Sequence, residues 1–352
     1  MSHHNFVHIG TPKTGSTALQ ICLDKNRELL KQHGFFYPEP PESSGGSHKF
    51  LAYYTTPKIT FTFSADKKKQ LKAEVDHFKS QIEGSADKII VSSEWFYGSN
   101  PKHVSRLFPK GDTKIIIYIR DQINYLVSYY QEMVGYLAIS DSLDDFGKNA
   151  RNLNFSKRID RWAKVFGSEN IEVRLYDRAR MHKGNIVDDF LHILDPKIDV
   201  AKFRGAREDK NPSIGGDLLS FKRHLNAILN DSSVQHQKLR RVFKTLSAQM
   251  QEYQIKPMFS PEVERALKQK YYASNQAVFS KYFQTDEHLF DYETRGEYVS
   301  HDVDGDKFRR ILEQIKLKDE QAYCYIMDEI YACIGSKDDA LLRRIKTFLS
   351  FL

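Results

Sequence analysis

A turn rich in glycine and hydroxyl residues joins the first apolar run of this chain to a segment with helical periodicity. The turn is Gly10-Thr11-Pro12-Lys13-Thr14-Gly15-Ser16-Thr17. The apolar run before it is typical of a buried strand, and the apolar residues after it recur at helical spacing. A helix that begins at such a turn presents free backbone N–H groups to an anion. The turn therefore predicts a phosphate-binding loop.

The position of its lysine distinguishes this turn from the ATP-type phosphate loop. That loop has the pattern G-x-x-x-x-G-K-[ST]. Here Gly10 and Gly15 keep the spacing, but Ser16 follows the second glycine and the lysine is Lys13. In an ATPase the hydroxyl residue after the lysine holds Mg²⁺. We identify no metal site in this sequence, and a lysine with loop amides and hydroxyls suits a less charged group, such as a sulfuryl on a phosphate.

A second strand about a hundred residues later also ends in a phosphate-binding residue type. The run Lys114–Ile119 is typical of a buried parallel strand, and Arg120 follows it. Ser128 lies two turns into the helix predicted next. A guanidinium provides a planar pair of donors and a hydroxyl adds another, which suits a terminal phosphate monoester.

These two segments carry a resemblance to a known family. T-P-K-T-G-S-T-A-L-Q and I-R-D-x-x-x-x-x-x-S-Y resemble the two cofactor signatures of sulfotransferases that use 3′-phosphoadenosine 5′-phosphosulfate (PAPS). The resemblance covers roughly residues 5–285 and implies a P-loop-like sulfotransferase fold. It implies that the loop binds the 5′-phosphosulfate, that Arg120 and Ser128 bind the 3′-phosphate, and that the product is adenosine 3′,5′-bisphosphate (PAP). The cofactor-binding residues expected from it are Thr11, Lys13, Thr14, Gly15, Ser16, Thr17, Arg120, Ser128 and Lys210.

Sulfuryl transfer to a hydroxyl needs a group that accepts the hydroxyl's proton. Glu94 follows the strand predicted at 88–93, and strand ends of a parallel sheet meet at one edge. We therefore expect Glu94 to be the general base and Lys13 to be the second catalytic residue, although a strand-end glutamate could instead pair with a lysine or cap a helix. His48 follows a segment rich in proline and glycine and is the rival base or an acceptor contact, unless it is solvated or caps a helix. His8 is expected to be a core histidine.

The resulting hypothesis is a PAPS-dependent sulfotransferase that requires no metal. By family analogy, the acceptor is a carbohydrate hydroxyl on a glycolipid, lipopolysaccharide precursor or exopolysaccharide, with amine or phenol acceptors still open. One alternative is a nucleotide-dependent kinase, which shares the sheet and the phosphate cradle but would have a lysine directly after Gly15. Another is a catalytically silent binding or scaffold protein with the same fold.

Charge and cysteine content set further expectations. The 352 residues contain 53 Lys and Arg against 46 Asp and Glu, a net charge of +7 that suits an anionic cofactor. No zinc-finger spacing or long basic run supports nucleic-acid binding. Cys22, Cys324 and Cys333 lack metal-ligand spacing and fit free thiols. With no leader or membrane-spanning run, we expect a cytoplasmic, bacterial-type enzyme that makes at most peripheral contact with a membrane-bound acceptor.

The order of elements predicts an α/β fold, a central parallel sheet flanked by helices, with a mostly helical C-terminal region. The predicted strands are 5–10, 88–93, 114–119 and 171–175. The predicted helices before residue 200 are 15–33, 64–83, 122–135, 155–166 and 184–194. Those after it are 214–229, 236–253, 260–282, 306–331 and 338–350. We expect an α/β domain at 1–285 and a helical extension at 286–352, which either forms a homodimer or shapes the acceptor site.

Overall fold

The computed structural model divides the chain into two compact units. It describes residues 3–136, 139–151, 153–206, 213–229, 233–290 and 305–334. The first unit contains Met1–Asp121, Asn152–Asp209 and Tyr271–Asp291, and the second contains Gln122–Arg151, Lys210–Lys270 and Tyr292–Leu352. Each unit is thus assembled from segments that lie far apart in sequence.

A five-stranded parallel sheet forms the centre of the first unit. Its strands are β1 (Asn5–His8), β2 (Phe35–Phe36), β3 (Lys88–Ser92), β4 (Thr113–Ile119) and β5 (Ile171–Leu175). Their order across the sheet is β2-β3-β1-β4-β5. Val7 of β1 pairs with Val91 on one side and Ile115 on the other. Because all neighbours are parallel, the segments that follow β1, β3, β4 and β5 emerge at one edge of the sheet.

The helices are numbered along the chain, and the list includes both units. They are α1 (Ser16–Lys25), α2 (Arg27–Gln32), α3 (Lys49–Tyr54), α4 (Pro57–Thr60), α5 (Ala65–Ile82), α6 (Pro101–Val104), α7 (Gln122–Tyr136), α8 (Leu143–Lys148), α9 (Phe155–Phe166), α10 (Ile186–Leu194), α11 (Gly216–Asn226), α12 (Ser233–Gln249), α13 (Pro261–Val278), α14 (Gly305–Lys318) and α15 (Glu320–Ile334). A π-helical turn, Phe279–Phe283, follows α13. The chain passes from the second unit to the first within α13.

Alternate strand residues supply the core of the first unit. Phe6, Ile116 and Tyr118 contribute to one buried cluster together with Leu19 of α1 and Phe190 of α10. The intervening strand positions point to the other face, where α9 contacts β4 and β5. The amphipathic helices thus bury the sheet and leave its carboxyl edge to the loops.

One buried carboxylate ties the sheet to α10. Asp189 accepts hydrogen bonds from Tyr118 Oη (2.8 Å), Arg174 Nη2 (2.6 Å) and the His182 backbone N–H (2.7 Å). Burial alone would raise the pKa of Asp189, but these donors outweigh burial and the pKa is lowered. The charge is therefore paired and hydrogen-bonded, as a buried carboxylate requires.

The second unit is helical and packs around aromatic residues. The Phe221 ring of α11 lies 6.0 Å from Phe243 of α12 and 4.7 Å from Phe308 of α14. Asn226 Nδ2 donates to the carbonyl oxygens of Val134 and Ile139, both at 2.9 Å. This amide therefore joins the end of α7 to α11.

The architecture confirms the predicted fold class, and it corrects some element bounds. The predicted helix 15–33 breaks at Asn26, because the Asn26 amide donates to the carbonyl oxygens of Cys22 (2.6 Å) and Arg204 (2.9 Å). The predicted helix 306–331 breaks at Asp319, whose carboxylate accepts from the Ala322 N–H at 2.9 Å. The two-residue strand β2 was not predicted. Residues 338–350 lie outside the described residues.

The domain boundary at 285/286 stays a prediction, because residues 291–304 beside it lie outside the described residues. Among the helices that are described, none is both long and apolar enough to cross a bilayer.

Candidate active site

The loop after β1 is held against the neighbouring strand by its backbone. The Thr11 N–H donates to Tyr118 O (2.8 Å), and the Tyr118 N–H donates to Gly10 O (2.7 Å). Gly10 has a φ of +95°, and a Cβ there would lie 3.0 Å from Glu94 Cα. The missing side chain therefore allows the loop to approach the end of β3 closely. Lys13 also has a positive φ, +63°.

The start of α1 presents amides that no side chain caps. Gly15 precedes the helix with a φ of +76°, and it makes no side-chain cap. The Thr14 hydroxyl donates within the loop, to Thr11 O at 2.5 Å. Thr11 Oγ1 is buried and has no hydrogen-bond partner within the described part of the chain. Uncapped amides, the helix dipole and an unpaired hydroxyl suit an anionic group, so these residues fit a phosphosulfate.

The Arg120 side chain contacts the backbone of this loop. Arg120, directly after β4, donates from Nη1 to the Lys13 carbonyl oxygen at 2.9 Å. Its guanidinium carbon lies 5.5 Å from the ring centroid of Tyr176, which follows β5. Lys13 and Arg120 are both partly buried, so their charges act where water is partly excluded. The structure thus brings the Arg120 guanidinium to the backbone of Lys13 in the loop.

Tyr176 is a site residue that the sequence analysis missed. Its backbone N–H continues the sheet by donating to Ile119 O at 2.8 Å. A Cβ on Gly15 would lie 3.1 Å from Tyr176 Cε2. The ring therefore lies against both the loop glycine and the Arg120 guanidinium. Its position directly after a predicted strand was the signal that could have identified it.

Glu94 lies at the end of β3 and is oriented by a hydrogen-bonded row. Gln20 Nε2 of α1 donates to Glu94 Oε2 at 3.0 Å and to Ser92 Oγ at 3.3 Å. Ser92 Oγ in turn hydrogen bonds with His8 Nδ1 at 2.7 Å. Gln20, Ser92 and His8 are buried, whereas Glu94 is half-buried. The Glu94 carboxylate is therefore held by Gln20 of α1, the helix that follows the loop, and it remains partly exposed.

His48 is enclosed in the core. Its Nε2 donates to Pro38 O at 3.0 Å, and its Nδ1 accepts from the Ser92 N–H at 3.3 Å. The ring packs against Tyr37, with centroids 4.6 Å apart. Both ring nitrogens are thus hydrogen-bonded to backbone groups, and the buried ring is not accessible from the phosphate-binding loop.

The remaining predicted site residues lie elsewhere. Ser128 is a half-buried residue of α7, in the second unit. Thr17 is exposed on the first turn of α1, and Ser16 is buried there. Lys210 lies outside the described residues. Within the described ranges, no group of three or more His, Cys, Asp or Glu side chains could hold a metal ion.

Gly15→Ala is expected to destabilise the protein and weaken anion binding at the loop. The left-handed backbone costs an alanine about 1–2 kcal/mol, and the new Cβ would also press on Tyr176 Cε2 (3.1 Å) and Ile186 Cγ2 (3.2 Å). Gly34→Ala is the matched control, because Gly34 has a φ of +75° with open space around it. Urea unfolding should show the larger loss for Gly15→Ala. Equal losses would mean that the contact with Tyr176 contributes nothing.

Acidification is expected to destabilise the protein through its buried histidines. Burial lowers the pKa of His8 to about 3 and that of His48 to about 4. The folded state therefore keeps both rings neutral while the unfolded chain binds protons below its pKa of about 6.5. Stability is fully present above that pKa and falls as the pH drops from about 6.5 toward 4, by about 1.4 kcal/mol per pH unit for each ring.

Urea unfolding of His48→Gln at about pH 7.5 and about pH 5 tests this assignment. The pH-dependent loss should shrink by about 2 kcal/mol, because glutamine does not titrate. His33→Gln, at an exposed position, should keep the full loss. An unchanged loss in His48→Gln would contradict the assignment.

The known proteins that are similar to this chain are only distantly similar. No family model matches the chain. A protein of Archaeoglobus fulgidus described as uncharacterized is 29% identical over 202 residues, which are 56% of this chain and 54% of that protein. The chain thus spans about half the length of this relative. The crystal structure of a sulfotransferase from Alicyclobacillus acidocaldarius is similar with a TM-score of 0.40 and 14% identity, covering 80% of this chain and 97% of that one. Similarity at this level leaves the function to be argued from the site.

Proposed function

We propose that this chain is a sulfotransferase that transfers a sulfuryl group from PAPS to an acceptor hydroxyl, without a metal. The contact between Arg120 Nη1 and the Lys13 carbonyl oxygen at the uncapped start of α1 carries this proposal. This contact joins the Arg120 guanidinium to the loop backbone next to amides that no side chain caps, and Gly10 of the same loop lies close to Glu94. Such a set suits a phosphate that becomes a leaving group.

The proposed chemistry is one displacement. The donor supplies a sulfuryl group activated by its anhydride bond to phosphate. As the acceptor oxygen forms a bond to sulfur and the bond from sulfur to the phosphate oxygen breaks, Glu94 takes the hydroxyl proton. Lys13 and the amides of Thr14 to Thr17 stabilise the negative charge that the phosphate oxygen gains. Gln20 holds Glu94 Oε2 in place throughout.

We assign the base role to Glu94 alone. The carboxylate is half-buried and lies next to the loop, whereas His48 is enclosed with both nitrogens bound to backbone groups. Burial also lowers the pKa of His48 to about 4, so this imidazole would be a poor acceptor of the hydroxyl proton.

The remaining assignments extend the proposal. Arg120 binds a phosphate of the nucleotide, and Ser128 and Lys210 stay predicted nucleotide contacts. The acceptor is a carbohydrate hydroxyl. A cytoplasmic location, a bacterial source and a homodimer through the C-terminal helices stay predictions.

Calorimetric titration with PAP in the absence of Mg²⁺ tests the nucleotide class. We expect micromolar binding that Arg120→Ala weakens about 10- to 100-fold, because hydrogen bonds to a charged group are lost. Arg106→Ala, at an exposed position, is the control and should bind normally. If ATP with Mg²⁺ binds and PAP does not, the kinase alternative replaces this proposal. If neither nucleotide binds, the alternative of a catalytically silent scaffold or binding protein replaces this proposal.

A further inference from the structure

A row of three aromatic rings begins beside Glu94 in the first unit. The ring of Tyr53 packs edge-to-face on Trp95, with centroids 5.4 Å apart at 72°, and on Phe63, with centroids 5.7 Å apart at 85°. We call Phe63, Tyr53 and Trp95 the aromatic row. Trp95 follows Glu94 directly in the turn Glu94–Gly98, so one end of the row is the chain neighbour of the proposed base.

The row is open to solvent although it is aromatic. The side chain of Trp95 is 48% exposed, and Tyr53 and Phe63 are half-buried. Edge-to-face packing fixes the rings relative to one another. Trp95 is thus a large aromatic side chain left at the surface and held by a partly buried neighbour, an arrangement that suits contact with a ligand.

The row also carries polar groups. Tyr53 has a hydroxyl and Trp95 has an indole N–H at the ring edge. Such rings offer an apolar face and a polar edge to the same ligand. The row therefore suits a ligand that combines a flat apolar face with hydroxyl groups.

The charge of Glu94 reaches the row. Burial raises the pKa of the Tyr53 phenol, and the negative charge of Glu94 raises it further. Trp95, at one end of the row, is also the residue after Glu94 in the same turn.

We propose that the aromatic row is the acceptor subsite, and that its occupant is a neutral glycan whose sugar rings lie on Trp95 and Tyr53. This inference rests on the proposed function, because Glu94 is the base there. A small phenol usually binds in a closed pocket that buries most of its surface, whereas these rings are open. A chain of sugars has apolar ring faces and hydroxyl edges, which suit Trp95 and Tyr53. The far end of the row is bounded by Lys67, whose Nζ lies 4.1 Å from the centroid of the Phe63 ring.

Fluorine NMR of the protein labelled with 5-fluorotryptophan tests the inference directly. The chain has two tryptophans, of which Trp162 is buried with 1% exposure. Trp95→Phe assigns the two signals. We titrate the labelled protein with neutral oligosaccharides, namely cellohexaose, maltohexaose, a mannan hexamer and a galactan hexamer, and separately with 2-naphthol.

The expected result is a saturable shift of the Trp95 signal with at least one oligosaccharide, while the Trp162 signal stays unchanged. Tyr53→Ala should weaken that binding about 3- to 10-fold through loss of one packed ring. Phe61→Ala is the matched control, because Phe61 is 85% exposed and outside the row, and it should bind as the wild type does. If Tyr53→Ala does not fold, Tyr53→Phe, which removes only the hydroxyl, should still weaken binding measurably.

Three outcomes would overturn the inference. The Trp95 signal stays unmoved by every oligosaccharide, or it moves with 2-naphthol alone, or it shifts with protein concentration alone, which would mean that a second copy covers the row. PAP titration of the same sample separates this test from the test of the function. PAP binding with a silent Trp95 leaves the sulfotransferase proposal standing, and a glycan response without PAP binding leaves only a glycan-binding site.

Discussion

Replacing Glu94 by glutamine is expected to lower the turnover number of sulfuryl transfer about 10²- to 10⁴-fold, the usual contribution of a general base. Glutamine has nearly the same shape and can still accept the hydrogen bond from Gln20 Nε2. It cannot take the acceptor's proton. The loss should therefore appear in turnover, while the dissociation constant of PAP stays within about twofold of the wild type.

Transfer of labelled sulfate from PAPS to an acceptor glycan measures this effect, and calorimetry measures PAP binding. Glu83→Gln, at an exposed position after α5, is the matched control and should keep full turnover. Wild-type turnover in Glu94→Gln would remove the carboxylate from the mechanism. A loss of PAP binding in this variant would instead mean that Glu94 maintains the structure of the phosphate-binding loop.

Replacing Lys13 by alanine is expected to reduce both turnover and nucleotide affinity. Removing one group that stabilises transition-state charge costs about 10²- to 10³-fold in turnover. Loss of its charged hydrogen bonds should weaken PAP binding about 10- to 100-fold. Lys13→Ala should therefore affect binding as well as turnover, because the phosphate that Lys13 contacts is negative in the bound nucleotide too. Glu94→Gln should affect turnover alone, because the acceptor proton moves only during the reaction.

The same two assays examine Lys13→Ala, with Lys31→Ala on the exposed side of α2 as the control. Lys13→Arg keeps the charge but changes its geometry, and it should restore binding better than turnover. Normal PAP affinity in Lys13→Ala would contradict the placement of the phosphate at this loop. The folded fraction of each variant is checked by its urea midpoint.

Much of the fold could be predicted from the sequence because local patterns determine it. The β-branched run at 114–119 and the helical spacing after Gln122 correspond to β4 and α7. Positions that depend on a single capping side chain were predicted less well. Asn26 and Asp319 each end one helix and begin another through hydrogen bonds that no periodicity reveals.

The candidate site shows the same division. Local sequence patterns predict that Lys13, Glu94 and Arg120 follow strands, and a parallel sheet brings such residues to one edge. The contacts that these residues make depend on the tertiary structure. Gln20 contacts Glu94 across 74 residues, and Arg120 contacts Lys13 across 107. Burial of His48 likewise depends on long-range packing. The physical reason is that periodicity reports which face of an element is apolar, whereas side-chain contacts depend on which elements become neighbours.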